Sequence, residues 1–322
     1  MLTFAVRRIL VALPVILFST MIAFTAVALS GDPLARLATC TTCDESARQI
    51  IIDRYNLDES IPQRYVLWLG DALQGDLGEA TSQGDRPVNE ILPEKFVNSL
   101  YLAVPAFILI AITALFLSVW SALRQYKPDD YAITALSYFG LAMPTFFFGI
   151  VLQQFWGIWV PQWFGIKPFR VQGFQEFELG NMGEFLSYAT LPIVTLCIIF
   201  VAAESRFGRA ALLDIKSSDF IRTARAKGVP ERRVTRRHLV RNALIPITTI
   251  WALDAAALLG GAVVTESIFS WPGLGRMLID GIFAQDLDMV MAVVVVLSIL
   301  SVAFNLIADL LYGVLDPRVR YD

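Results

Sequence analysis

Apolar residues in this chain come in long blocks rather than in the short alternations of a soluble domain. Six blocks, near 9–30, 97–123, 131–160, 187–212, 243–265 and 289–312, are rich in Leu, Ile, Val, Ala and Phe and poor in charge. A helix needs about 20 apolar residues to cross about 30 Å of hydrocarbon at about 1.5 Å per residue. Each block therefore predicts a membrane-spanning helix. The third holds Pro144 and Gly149 and stops at Pro161. That pattern predicts a broken span, tolerated where neighbouring helices satisfy the freed backbone groups. The fold class expected is all-α: an integral membrane protein of about six spans.

The polar intervals between the blocks divide the chain. Residues 1–30 hold the first span, 31–96 form an extracytoplasmic subdomain, 97–312 form the core, and 313–322 are a cytosolic tail. Within the core lie a cytosolic loop at 213–242 and an outer loop at 266–288. In the subdomain, Tyr55, Ile61, Tyr65, Leu67, Trp68 and Leu69 predict a small helical lobe, and Gly75, Gly78 and Gly84 predict turns after it. The first block follows Arg7 and Arg8 and runs from Ile9 to Leu29, longer than the about 7–15 residues of a signal-peptide core. A retained span is expected, although the small residues from Ala26 to Ser30 leave cleavage open.

Composition agrees with the blocks: 56% of residues are hydrophobic and 17% charged, against about 25% charged in soluble domains. The net charge of −3 says little, because charge is segregated. Arg7 and Arg8 precede the first span, and Arg124 and Lys127 separate the second from the third. Eleven Lys and Arg fall between Arg206 and Arg241, and Arg318 and Arg320 follow the last span. With six spans all four clusters share one side, which the positive-inside rule makes cytoplasmic, termini included. Five or seven spans scatter them.

The residue inventory excludes much chemistry. There is one histidine, His238, set among arginines, and three cysteines. No Gly-Lys dipeptide occurs, so the phosphate-cradling loop Gly-x-x-x-x-Gly-Lys-Ser/Thr is absent. No metal cluster, nucleophile–base pair or nucleic-acid motif is visible, and the reading is of a chain that is not itself an enzyme. Cys40-Thr-Thr-Cys43 sits in the outer segment, where an oxidising compartment favours a disulfide, with free thiols as the alternative. Cys197 reads as packing filler within a span.

The segment Asp219 to Pro246 is the most informative. A basic helical run ends at Gly228-Val229-Pro230, and a second basic run feeds the fifth span. Topology explains the charge but not the break. Two short helices joined by a sharp turn, with small residues at Thr223, Ala224 and Ala226, make a compact plug for a partner's groove.

Here the chain resembles a known family. Arg222-Thr-Ala-Arg-Ala-Lys-Gly228 followed by Arg241-Asn-Ala-Leu-Ile-Pro246 looks like the motif of bacterial ABC importer permeases, and more narrowly of the dipeptide/oligopeptide/nickel branch. Tyr65 to Gly78, Met143-Pro-Thr-Phe-Phe-Phe-Gly149, Gly260-Gly-Ala-Val-Val-Thr-Glu266, Ser267 to Gly275 and Asp316-Pro-Arg-Val-Arg320 extend the likeness nearly end to end. The long outer segment is typical of the B-type subunit, the first of two permeases in dipeptide importers. Two departures stand: Arg222-Thr223-Ala224 replaces the general Glu-Ala-Ala, and the spacing from Gly228 to Pro246 exceeds that of sugar importers. Both variants occur in the peptide branch.

The resemblance implies a bacterial cytoplasmic-membrane subunit that forms half of a peptide path. It implies a homologous second permease, two ABC ATPases that bind ATP and Mg, and an extracytoplasmic binding protein, with no cofactor in this chain. Nickel complexes, glutathione or haem are alternative cargoes. The ATPase-coupling residues expected are Arg222, Thr223, Ala224, Ala226 and Gly228. Asp254, inside the fifth span, is read either as a pathway residue or as an interhelical hydrogen-bonding group, because a charge in lipid is costly. Glu204 and Asp309 are read as interfacial or packing residues. Glu266, Trp271 and Arg276 are candidate contacts for the binding protein at the outer mouth, the alternative being that loop 266–288 is a packed cap. A secondary transporter is the rival class. It calls for inverted repeats or several intramembrane carboxylates, neither of which is evident.

Overall fold

A computed structural model describes residues 2–30, 34 and 45–315. Cys40, Cys43 and the stretch 316–322 lie outside the described residues, as does any bond between those cysteines.

The first helix, α1, runs Leu2–Ser30. A small lobe follows, with α2 (Glu45–Tyr55), α3 (Ile61–Leu73) and a minimal antiparallel hairpin of β1 (Glu79–Ala80) and β2 (Arg86–Pro87). Ser60 and Gln63 start α3 as a capping box, and Pro62 adds a residue already fixed for helix. The lobe leans on the first span. The Tyr65 hydroxyl donates to the Leu17 carbonyl at 3.1 Å, and Phe24, Tyr65 and Trp68 pack ring to ring.

The core begins with α4 (Val88–Leu123), α5 (Pro128–Ala142), α6 (Thr145–Gln154) and, after a π turn at Phe155–Trp159, α7 (Val160–Phe164). Then come α8 (Met182–Lys216), α9 (Asp219–Ala226) and α10 (Glu231–Arg233). A second π turn at Val234–Val240 leads into α11 (Arg241–Phe269), followed by α12 (Leu274–Phe283) and α13 (Leu287–Leu315). Among the described residues five helices are long and apolar enough to span a membrane, and the third block forms a sixth crossing only as a pair. Its halves meet at 100°. Pro144 lacks an N–H and forces Met143 into extended backbone, so the helix stops there rather than kinking.

The helices overrun the apolar blocks. α4 starts at Val88 rather than near 97, α8 at Met182 rather than near 187, and helical backbone reaches the fifth span continuously from Glu231 rather than from 243. Hydropathy marks where lipid ends, but backbone hydrogen bonding continues wherever an amphipathic face has something to cover. Val88, Ile91 and Leu92 cover Leu274, Met277, Met289 and Val293 of α12 and α13.

The centre of the bundle is the α4–α8 contact. Leu102, Ala106 and Ile110 meet Ala189, Ile193 and Leu196 there. Small residues set the spacing, as in membrane helix pairs generally. A Cβ on Gly208 would collide with Ser118 Oγ. The end of α4, the end of α8 and the start of α11 share one end of the bundle, through Ala122, Leu212, Ala243 and Ile247. Arg8 meets Asp309 near the end of α13 at 3.0 Å.

Candidate functional site

The basic segment forms a plug at that end. Along α9, Ile221 and Ala224 point inward and are buried against Ala122, Leu212, Val234, Leu239 and Ala243. Arg222, Thr223, Arg225 and Ala226 face outward. One expectation changes here. Ala224, at 8% exposure, faces its own bundle rather than the exposed side of α9. Its small side chain lets α9 sit close to the bundle instead of admitting a partner.

Gly228 makes the turn. Its φ of +73° lies in the left-handed region, and a Cβ there would meet nothing within 4 Å. Glycine is therefore required by backbone conformation, not by space. Two hydrogen bonds close the end of α9: Gly228 N–H donates to Arg225 O at 2.9 Å, and Val229 N–H to Ala224 O at 3.2 Å. This pairing is the Schellman arrangement. Pro230 then starts the next helix, its carbonyl accepting from Arg233 and Val234 at 2.8 and 3.0 Å. Arg225 and Glu231 bridge the turn at 2.7 Å on the surface.

A clamp that sequence reading missed braces the same end. Asp130, 2% exposed, accepts from Arg209 Nε and Nη2, both at 2.8 Å, from Ser121 Oγ, and from Tyr126 N–H at 2.9 Å. Every donor comes from α4, α8 or the intervening turn, so three spans are tied at one carboxylate. Lys216 adds a bond to Ala122 O at 2.9 Å. The run Pro128-Asp129-Asp130 signals a helix start, but nothing local names Arg209 as partner.

At the opposite end the first part of the loop 266–288 is packed into the bundle, while Ile282 and Phe283 farther along it are exposed. Glu266 and Trp271 are 1% and 0% exposed, and for these two residues the burial matches the packed-cap alternative rather than the contact at the mouth. Glu266 accepts from Ser99 Oγ at 2.6 Å and from the N–H groups of Gly275 and Arg276 at 2.7 and 3.1 Å. A distant carboxylate thus caps the first turn of α12, where charge and free donors favour it. Trp271 Nε1 donates to Asn98 O at 2.8 Å, and Asn98 Nδ2 returns a bond to Pro272 O at 3.1 Å. Phe174 packs edge-on against Trp271 at 4.8 Å. Gln153 reaches from α6 to Ile268 O at 2.9 Å. Two glycines permit the fit. A Cβ on Gly273 would enter the Glu266 carboxylate, and one on Gly275 would enter the Val263 backbone. Arg276 alone of the three named residues is partly exposed, and it faces Asp280 at 3.6 Å.

A further carboxylate, Asp286, joins the lobe of α2, α3 and the hairpin to the core. Its Oδ2 accepts from Thr81 Oγ1, Ser82 N–H and Ser82 Oγ at 3.1, 2.9 and 2.8 Å. Beside it, Tyr55 and Asp288 line a cleft of about 790 Å³ with Arg54, Arg64 and Trp68. Burial, reinforced by Asp288 and Asp286, pushes the Tyr55 phenol up to about 12.

In mid-bundle the structure places Asp254 of α11 beside Glu204 of α8. Glu204 is 5% exposed, so the interfacial reading of that residue does not hold.

Two family descriptions cover most of the chain. Residues 114–321 match the binding-protein-dependent transport system inner membrane component, and residues 1–99 match the N-terminal part of such a membrane component. Relatives align over the whole chain. An oligopeptide transport system permease protein, AppB, of Bacillus subtilis is 36% identical over 100% of both chains. A di/tripeptide transport system permease protein, DppB, of Pseudomonas aeruginosa is 31% identical over 100% of this chain and 99% of its own. A glutathione transport system permease protein, GsiC, of Pectobacterium atrosepticum is 33% identical over 100% of both.

Proposed function

This chain belongs to the family of binding-protein-dependent transport system inner membrane components, and from that premise we propose that it forms one half of a peptide path powered by partner ATPases. It is a multi-pass membrane permease subunit. In this reading a homologous second permease completes the path, and two ABC ATPases bind ATP and Mg beneath the plug. An extracytoplasmic binding protein delivers cargo at the outer end. Both termini are cytoplasmic, on the side of the plug.

The observation that carries the reading is α9. It is too short to cross lipid and is held to the bundle by two inward side chains, Ile221 and Ala224, while its basic outer face is exposed and carries only surface ion pairs, Arg222 with Asp219 and Arg225 with Glu231. Such an element transmits motion. A partner that grips Arg222, Thr223 and Ala226 moves α9, and α9 moves α4, α8 and α11 through their shared apolar contact. Nucleotide that binds two ATPase states unequally then shifts the bundle between inward- and outward-open populations.

The test is the assembled complex in proteoliposomes. Gly228→Val should leave insertion and assembly intact, since a side chain there has room, yet misalign the turn. ATP hydrolysis should continue with peptide uptake reduced at least tenfold. Normal uptake would place the coupling element elsewhere. Glutathione is the second cargo reading, favoured by the relatives that carry that name; competition of glutathione against a dipeptide for uptake separates the two.

A further inference from the structure

Glu204 sits where a carboxylate is expensive. It projects from α8 into the contact with α11, 5% exposed, and neither of its oxygens receives a hydrogen bond from the described residues. Its neighbours are Asp254 and Trp251, which are i and i+3 partners on one face of α11. Trp251 Nε1 is also buried without an acceptor. Asp254 is less covered than Glu204, so the pair opens on its side. Asp254 lies about midway between Arg241 and Glu266, on the order of 20 Å from either at about 1.5 Å per residue. The pair is thus near mid-membrane.

The Trp251 N–H beside Glu204 is the one donor at hand among the described residues, and it cannot serve the four oxygens of two facing carboxyl groups, so a positively charged donor between them is favoured in a low-dielectric site. A shared proton supplies one donor and leaves the other oxygens bare. A divalent cation calls for about six or more oxygen ligands, and no third His, Cys, Asp or Glu joins the pair among the described residues. A protonated primary amine fits better. It brings one charge and three N–H donors, and an indole ring stands beside the carboxylates to receive a cation.

Resting on the reading that peptides pass through this subunit, we propose that Glu204 and Asp254, with Trp251, form an intramembrane subsite for the protonated amino group of the cargo. The subsite would hold the amine as cargo leaves the outer end, and would release it when α8 and α11 move with the plug.

The experiment labels the assembled complex in proteoliposomes with dicyclohexylcarbodiimide, which attacks carboxyl groups in apolar surroundings, and reads the adduct at Glu204 by mass spectrometry. Alanylalanine should lower that adduct at least fivefold, and N-acetyl-alanylalanine should not. N-acetyl-alanyllysine distinguishes an amino terminus from a side-chain amine: protection by it widens the subsite to any primary amine. In uptake assays E204Q and D254N should each raise KM for alanylalanine at least tenfold. Equal protection by sodium chloride or by the acetylated dipeptide would overturn the proposal, as would an adduct indifferent to every amine or normal uptake by both variants. A wild-type complex that imports no peptide would defeat the peptide reading instead. The site would then be decided by whether ethylammonium protects Glu204.

Discussion

The two ends of the bundle use the same residue types for opposite purposes. Each has glycine and proline interrupting a helix, and each has been set beside a partner-binding role. At the cap formed by Glu266 to Gly275 the interruption is filled. Glu266, Trp271, Asn98 and Ser99 satisfy one another, and Gly273 and Gly275 let backbone and carboxylate approach where any Cβ would collide. At the plug formed by α9 the interruption is open. Gly228 serves only its left-handed φ, the bridging ion pair is on the surface, and α9 rests on two side chains. The cap is built to keep one shape. The plug leaves its basic face exposed. A Gly-Pro break in sequence therefore marks an interruption without saying whether it locks or moves.

Substitutions at the two ends sharpen this contrast. The largest effect is expected at Gly275→Ala, because the obstacle is the Val263 backbone, which no rotamer change relieves. Overpacking of this kind costs about 3 kcal/mol, and thermal unfolding in detergent should show it as a lower midpoint with poor assembly. Next comes Glu266→Ala. It strands the Gly275 and Arg276 N–H groups and the Ser99 hydroxyl, at about 2–3 kcal/mol for buried donors left unpaired. The same measurement detects it, and a midpoint equal to wild type would break the cap half of the comparison. Trp271→Phe keeps an aromatic ring but loses the bond to Asn98 O and leaves part of the buried indole's space empty, so about 2 kcal/mol is expected.

The plug should respond the other way, with small stability changes and large functional ones. Gly228→Val forces a β-branched residue into the left-handed region at a cost of about 1–2 kcal/mol, while Gly228→Asn should recover part of the coupling because Asn tolerates that conformation. The smallest stability effect is expected at Arg225→Ala. An exposed ion pair contributes about 0.2–1 kcal/mol, so unfolding should barely move while the ratio of uptake to ATP hydrolysis falls. A stability loss at Arg225 as large as that at Gly275 would remove the distinction between lock and grip.

What the sequence by itself determined is what rests on local period and composition. The six apolar blocks, the break at Pro144, the segregation of basic residues and the turn at Gly228 are each written within a few residues of where they act. A hydrocarbon slab or a single peptide unit is enough to read them. The tertiary structure decided everything that needs a partner far along the chain. Asp130 is ordinary until Arg209 from α8 reaches it. Glu266 reads as an exposed loop acid until Ser99 and the first turn of α12 close around it. Glu204 reads as an interfacial charge until Asp254 stands opposite. The helix ends belong to this second group, since α4 continues out to Val88 only because α12 and α13 offer an apolar face to cover. Pairing across 79 or 167 residues leaves no local trace, because free energy depends on distance in space, and only the packed bundle sets that distance.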